Sequence, residues 1–208
     1  MPRPHVEEER RQQILQATWH VIAVSGFRSL RVSDVAKRAG VSSGMIHYYF
    51  DSKRDLVKAA FERYYAHSTE RRQWIMETGQ GPLELLKLIV ESYVPVEDET
   101  LEGWHVWSEL WVEGLQEPDL QELNEDFYGQ WRRQVAGIIS DGQDAGLIRD
   151  GSAIELANML IAMIDGLAIQ VLLGSRSMTA DRMRATCLAF IDEMLAKPTA
   201  HQGGSQVR

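Results

Sequence analysis

Residues 33–49 read Ser-Asp-Val-Ala-Lys-Arg-Ala-Gly-Val-Ser-Ser-Gly-Met-Ile-His-Tyr-Tyr. The spacing predicts two short helices, over about 33–39 and 43–49, meeting at Gly40-Val41-Ser42. Val35, Ala36 and Ala39, with Val41 and Ile46, can turn inward. The small Ala side chains let the helices cross steeply and closely, and Gly40 supplies the positive φ of a tight turn. This is a helix-turn-helix pattern. An ordinary αα-hairpin is the alternative, but the exposed face of the second helix carries Tyr and His where a solvated helix would carry Glu or Lys.

In such a motif the second helix lies in the DNA major groove, with its N-terminal residues nearest the base edges. Ser42, Ser43, Gly44 and Met45 are the expected base readers. His47, Tyr48 and Tyr49 are placed for phosphates, sugars or thymine methyls. Lys53 opens the next helix, whose N-terminal dipole already favours a phosphate.

Charge distribution agrees. The 208 residues carry a formal net charge of −8, which argues against a surface that coats DNA as a whole. Residues 1–60, however, hold ten Lys and Arg against six Asp and Glu, and the remainder holds 12 against 24. Random scatter could give the first imbalance alone. The stretch 88–131, with twelve carboxylates and no Lys or Arg, is harder to reach by chance.

Outward from the motif the periodicity stays helical. Helices are expected over about 7–25, from about 52 towards 76, over 82–94, 98–115 and 117–142, from 153 to 174, and from 180 to near 197. Pro82 suits a first turn, and Ser52, Ser152 and Thr179 are placed as N-caps. No strand alternation and no fixed repeat is present, so the fold class is all-α, with about nine helices. The expected division is a helix-turn-helix head (1–55), a ligand-binding and dimerisation domain (56–197) and a disordered polar tail (198–208). The single cysteine, Cys187, excludes an internal disulfide framework and reads as a small core hydrophobe. No uninterrupted apolar run reaches the ~18 residues of a membrane helix, and the N-terminus lacks the apolar region of a signal peptide. The expected location is therefore the cytoplasm, with no membrane partner.

The segment Phe27–Leu56, with Ala-Gly-Val-Ser-x-Gly followed by Tyr-Phe-x-Ser-Lys-x-x-Leu, resembles the DNA-binding head of the TetR family of transcriptional regulators. The resemblance implies a homodimer, more often a repressor, that leaves a palindromic double-stranded operator when a small-molecule effector binds its helical body. Two departures stand out. Where the family often has Thr near the start of its second helix, this chain has Arg31 and Val32. The cap is then expected to pass to Ser29 or Ser33, with Arg31 supplying the phosphate contact. The first aromatic of the family's Tyr-x-x-Phe stretch is His47, whose phosphate bond would depend on pH.

In the body, the helix beginning at Ala153 is apolar on most of its circumference, as expected of a helix buried on nearly all sides. Leu160, Met163, Ile164, Leu167 and Val171, with Met183, Cys187 and Phe190 of the last helix, are the candidate dimer interface; the core of a monomer is the alternative. Trp104, Trp107 and Trp111 recur at i, i+3 and i+7 on one face. With Tyr93, Tyr128 and Trp131 they form the candidate ligand site, because aromatic faces near carboxylates attract cations. The competing interpretation is an aromatic core in a regulator or interaction protein with no small-molecule ligand. Gly103–Pro118 and Leu160–Gly174 resemble the BetI-like branch, whose namesake regulators respond to choline, and so imply a cationic or amphipathic ligand. No catalytic constellation is present, so the chain is not expected to be an enzyme. The six histidines are scattered, and Glu102-x-x-His105 lacks the second copy a di-iron bundle needs. Neither metal nor cofactor is expected.

Overall fold

The structure, a computed structural model, describes residues 4–198. They form nine α-helices in chain order: α1 Pro4–Ser25, α2 Val32–Ala39, α3 Ser43–Tyr49, α4 Lys53–Glu77, α5 Pro82–Tyr93, α6 Asp98–Gly114, α7 Pro118–Asp144, α8 Ala153–Leu172 and α9 Ala180–Ala189. No strand occurs among the described residues, so the all-α class stands. The tail expected to be disordered lies, past Pro198, outside the described residues.

Local chemistry explains the boundaries. Gly40 ends α2 at φ 64°, the left-handed region where other residues are strained. The Val41 N–H then reaches back to the Ala36 carbonyl at 3.0 Å, which turns the chain into α3. The hydroxyls of Ser42, Ser52, Ser152 and Thr179 each accept the N–H three residues ahead. The cap of α2 is a correction. Neither Ser29 nor Ser33 caps it. The helix already starts at Val32, its N-cap is Arg31, and no side chain caps it. The Asp34 and Val35 N–H groups bond the Arg31 carbonyl instead, at 3.0 and 3.2 Å.

After α9 the chain widens into a π-turn over Phe190–Leu195. Its end is tied to the α7–α8 turn by Arg149 N–H to Leu195 O and Lys197 N–H to Leu147 O, both at 2.8 Å.

Two hydrophobic clusters organise the molecule. One joins α1 to α4 and continues into Val106, Leu110, Leu120, Leu123 and Phe127 of α6 and α7. The second is built on α5, α7, α8 and α9, with Trp104 and Ile75. Packing is therefore continuous across residue 55: the head shares its core with α6, and α4 belongs to both halves.

Two expectations about α8 need correction. An 18-residue stretch of its 20 residues has mean hydropathy 1.6, enough by length and composition for a membrane span. It packs instead against α7 and α9. Nor is it buried on nearly all sides, for Ile154 is 43% and Met159 51% exposed. Four of the residues expected at a dimer interface, Leu160, Ile164, Met183 and Cys187, are used up in the chain's own core, at 0–2% exposure, and have no surface left for a partner. Met163, Leu167, Val171 and Phe190 keep part of theirs.

Candidate nucleic-acid interface and ligand cavity

At the head, Val35, Ala36, Ala39 and Ile46 are buried, and their burial forces the other face of α3 outward. Ser42, Ser43, Gly44, Met45, His47 and Tyr48 are exposed, and Tyr48 keeps 74% of its surface. Met45 and Tyr48 thus leave large apolar surface open on this face of α3. Tyr49 is half-buried, with its ring edge against Tyr48 at 5.1 Å between centroids. Arg31 and Ser33 are exposed on the flank, beside the exposed Lys37 and Arg38. Lys53 opens α4, as its spacing predicts. Its ammonium lies 5.5 Å from the Phe27 ring centroid and 3.4 Å from the Phe27 carbonyl. The cation is thus parked on Phe27.

Behind the head, α6 holds the α1–α2 turn. The Phe27 N–H donates to Glu109 Oε2 and Arg28 Nε to Glu113 Oε1, both at 2.7 Å. His20 Nδ1 lies 3.1 Å from Glu102 Oε1, and Arg54 pairs with Asp119 of α7 at 2.7 Å. Much of the acidic stretch is thus spent on gripping the basic head rather than on surrounding the aromatics.

The aromatics line a partly open cavity between α4, α5, α6, α7 and α8 whose accessible volume is about 60 Å³. This is below the roughly 300–1,000 Å³ of small-molecule sites, so side chains of the wall must move to admit a ligand. Tyr93, Trp104, Trp107, Trp111, Tyr128 and Trp131, the six expected residues, all line it. They position one another. Trp104 Nε1 donates to the Tyr93 carbonyl at 2.8 Å, which satisfies the indole and fixes the end of α5. The Tyr93 and Trp131 rings stand 5.1 Å apart, Trp104 and Trp111 6.2 Å, and Trp107 and Tyr128 6.4 Å. Gly103 lets Tyr64 of α4 into the wall, because a Cβ there would overlap the Tyr64 hydroxyl.

Sequence reasoning missed both charges in this cavity. The carboxylate comes from α8, outside the acidic stretch. Asp165 accepts a hydrogen bond from the Tyr128 hydroxyl at 2.8 Å. Burial pushes its carboxyl up to about 6, although the Tyr128 bond works the other way. Burial and the adjacent Asp165 likewise raise the Tyr128 hydroxyl well above its ordinary value, and burial raises Tyr93 to about 12. An acid in the middle of an apolar helix, far from the first-turn Glu155, was the available signal for Asp165. The cation is Arg72 of α4, 9% exposed, with its guanidinium 4.5 Å from the Tyr93 centroid and 5.6 Å from that of Trp131. Nothing in its local sequence marked it.

His105 is exposed and outside the cavity lining. No cluster of three His, Cys, Asp or Glu able to hold a metal occurs among the described residues. Burial raises the Cys187 thiol to about 11, and the side chain packs in the second cluster.

Family comparison gives this geometry its context. Residues 14–60 match the model for bacterial regulatory proteins of the tetR family, and residues 82–196 match the model for the C-terminal domain of BetI-type transcriptional repressors. The chain belongs to the TetR family. This TetR-family chain is 29% identical over 198 residues to the HTH-type transcriptional regulator BetI of Stenotrophomonas maltophilia, covering 94% of this chain and 97% of that one. A transcriptional regulator from Saccharomonospora viridis, solved in complex with choline, superposes with a TM-score of 0.86 at 35% identity, covering 92% of this chain and 100% of that one. The regulator FadR of Bacillus subtilis, solved with stearoyl-CoA, shares the fold at TM-score 0.75 and 22% identity, over 86% of this chain and 96% of that one. One TetR-family body thus holds ligands of very different chemistry in different proteins. The chain is a helix-turn-helix transcriptional regulator, of a family of regulators rather than enzymes, with a BetI-type C-terminal half.

Proposed function

We propose that the protein is a homodimeric cytoplasmic repressor that occupies a palindromic operator and leaves it when a small cationic ligand enters the aromatic cavity. The observation that carries this is Asp165: a partly buried carboxylate, held by Tyr128, in a cavity walled by Trp104, Trp107, Trp111 and Trp131. Rings attract a quaternary or primary ammonium by about 0.5–2 kcal/mol each, more when water is excluded. The carboxylate adds a full opposite charge that its surroundings leave incompletely compensated.

The exposed residues Ser42, Ser43, Gly44 and Met45 supply base contacts, and Arg31, Ser33, His47, Tyr48, Tyr49 and, once released from Phe27, Lys53 supply backbone contacts. One seven-residue helix reads few base pairs, so a two-fold pair of heads is required. The uncovered face of α8, with Met159, Met163, Leu167 and Val171, supports pairing of two copies through this helix. α6 links the sites, since its tryptophans line the cavity while Glu109 and Glu113 hold Phe27 and Arg28. A ligand that prefers one position of α6 shifts the population of head positions away from the ~34 Å spacing of successive major-groove faces.

Calorimetric titration with choline and tetramethylammonium, with Trp107→Ala as the control, tests the ligand class. Saturable binding of cations, lost in the control, is expected. Binding only of neutral or anionic lipophiles would overturn it. Selection of bound DNA fragments, with and without ligand, tests the operator: a two-fold sequence released by the ligand is expected, and retention of DNA with every cavity ligand would sink the mechanism.

A further inference from the structure

The cavity holds two aromatic neighbourhoods with different occupancy. Asp165 holds Tyr128, whose ring meets those of Trp107 and Trp111 at 6.4 and 6.2 Å, and no Lys or Arg of the lining lies on these three rings. Arg132 lies 5.7 Å from the Tyr128 centroid and is paired with Glu125 at 3.0 Å; neither lines the cavity. Beside Tyr93 and Trp131 the opposite holds. These two rings meet a guanidinium, that of Arg72, at 4.5 and 5.6 Å. Arg72 is one of few charged side chains buried to 9% exposure or less. It comes from α4, whose other end at Lys53 carries the head.

We propose that Arg72 is a built-in occupant of the cation cage, which a cationic ligand must displace, and that its release is felt by the head through α4. This rests on the cationic-ligand reading above. A delocalised, weakly hydrated guanidinium stacks on aromatic faces much as a quaternary ammonium does. With about 60 Å³ of accessible volume, the cavity has no room for a quaternary ammonium beside the Arg72 side chain, and two cations inside it repel one another. The competent state of the cage is then only part of the population, and ligand affinity is reduced by that fraction. The reduction has a regulatory use. Binding is linked to loss of an α4–α5–α7 contact, so affinity given up at the cage becomes displacement of the helix that leads to the reading head. Tyr64 and Tyr65 of the same helix, also in the cavity wall, are moved with it.

The test compares the full-length native chain with Arg72→Met, which keeps a long unbranched apolar side chain and removes the charge. Tetramethylammonium is the probe, titrated calorimetrically. The variant is expected to bind it about tenfold more tightly, since ring faces are vacated and a like charge is gone. It is also expected to bind a selected operator fragment at least several-fold more weakly without ligand. Equal or weaker cation binding by the variant overturns the proposal and leaves the cationic reading intact. Binding by the variant but not by the native chain upholds Arg72 as occupant and overturns that reading. No binding by either overturns both, and unchanged operator affinity overturns the link through α4. A measurement on the native chain stands if Arg72→Met does not fold. The Arg72 side-chain protons, ring-current shifted by Tyr93 and Trp131, should move to ordinary positions at saturating tetramethylammonium. A shift unchanged at saturation would overturn displacement.

Discussion

The reading head and the aromatic cavity are built on opposite terms. In the head, the groups offered to a partner are exposed and held by the backbone: a glycine turn at Gly40, a serine cap at Ser42, and apolar residues on the hidden face of each short helix. In the cavity, the groups offered to a partner are half or fully buried and hold one another, indole to carbonyl, phenol to carboxylate, guanidinium to ring. Substitution on the reading face should therefore change DNA binding and leave stability almost untouched. Substitution in the cavity should change stability and ligand response together.

The largest expected effect is Trp104→Ala. It removes a 5% exposed indole and the hydrogen bond to Tyr93, and should cost about 3–5 kcal/mol in denaturant unfolding. A variant as stable as the native chain would break the claim that cavity residues are also core.

Asp165→Asn is the next in size and separates binding from stability. Burial raises the folded-state carboxyl to about 6, against 3.8 when free. The protonated form thus favours folding below 3.8, and that contribution is lost as pH rises through about 6. Asp165→Asn should consequently unfold less readily than the native chain at pH 8, by about 1–3 kcal/mol, with the advantage gone below pH 4. Cation binding has the reverse sign: native affinity should rise as pH climbs through 6, and the variant's should stay low and flat.

Glu113→Gln acts at the boundary between the two regions. It replaces a buried, 8% exposed carboxylate that accepts from Arg28, and should cost about 1–2 kcal/mol. Ligand affinity should be preserved while ligand-driven release of DNA weakens. Equal release in both proteins would remove α6 as the link.

Lys53→Ala should leave the melting temperature nearly unchanged, weaken binding to all DNA sequences, and lower the salt slope by about one unit. An unchanged slope would mean that Lys53 stays parked on Phe27 in the complex. Met45→Ala is the smallest change. It should relax preference at particular bases by about 1 kcal/mol, read by binding to single-base operator variants, with no effect on overall salt dependence.

How far these features were legible in the sequence follows from how local their causes are. Gly40, Ser42, Ser52 and Pro82 act within a few residues of themselves, so α2 to α5 could be bounded closely from spacing alone. The i, i+3, i+7 tryptophans likewise needed only helical geometry to share a face. The cap of α2 was misplaced because Arg31 and Val32 continue the helix one residue earlier, with backbone bonds replacing a side-chain cap. α8 was expected to be wrapped on all sides because composition reports how apolar a helix is, not which of its faces the rest of the chain can reach.

Sequence alone determined an all-helical chain with a basic helix-turn-helix head on an acidic body, and it determined which rings stand together, because these are properties of periodicity and short-range hydrogen bonding. Tertiary structure decided the charges. The twelve carboxylates of 88–131 read as a negative field around the aromatics, yet Glu102, Glu109 and Glu113 turn to the head, and the acid in the cavity is Asp165 from a helix some 40 residues further on. The cation against its rings, Arg72, arrives from the head's own long helix. Electrostatic partnership depends on distance and burial in three dimensions, and neither is written in the order of residues along the chain.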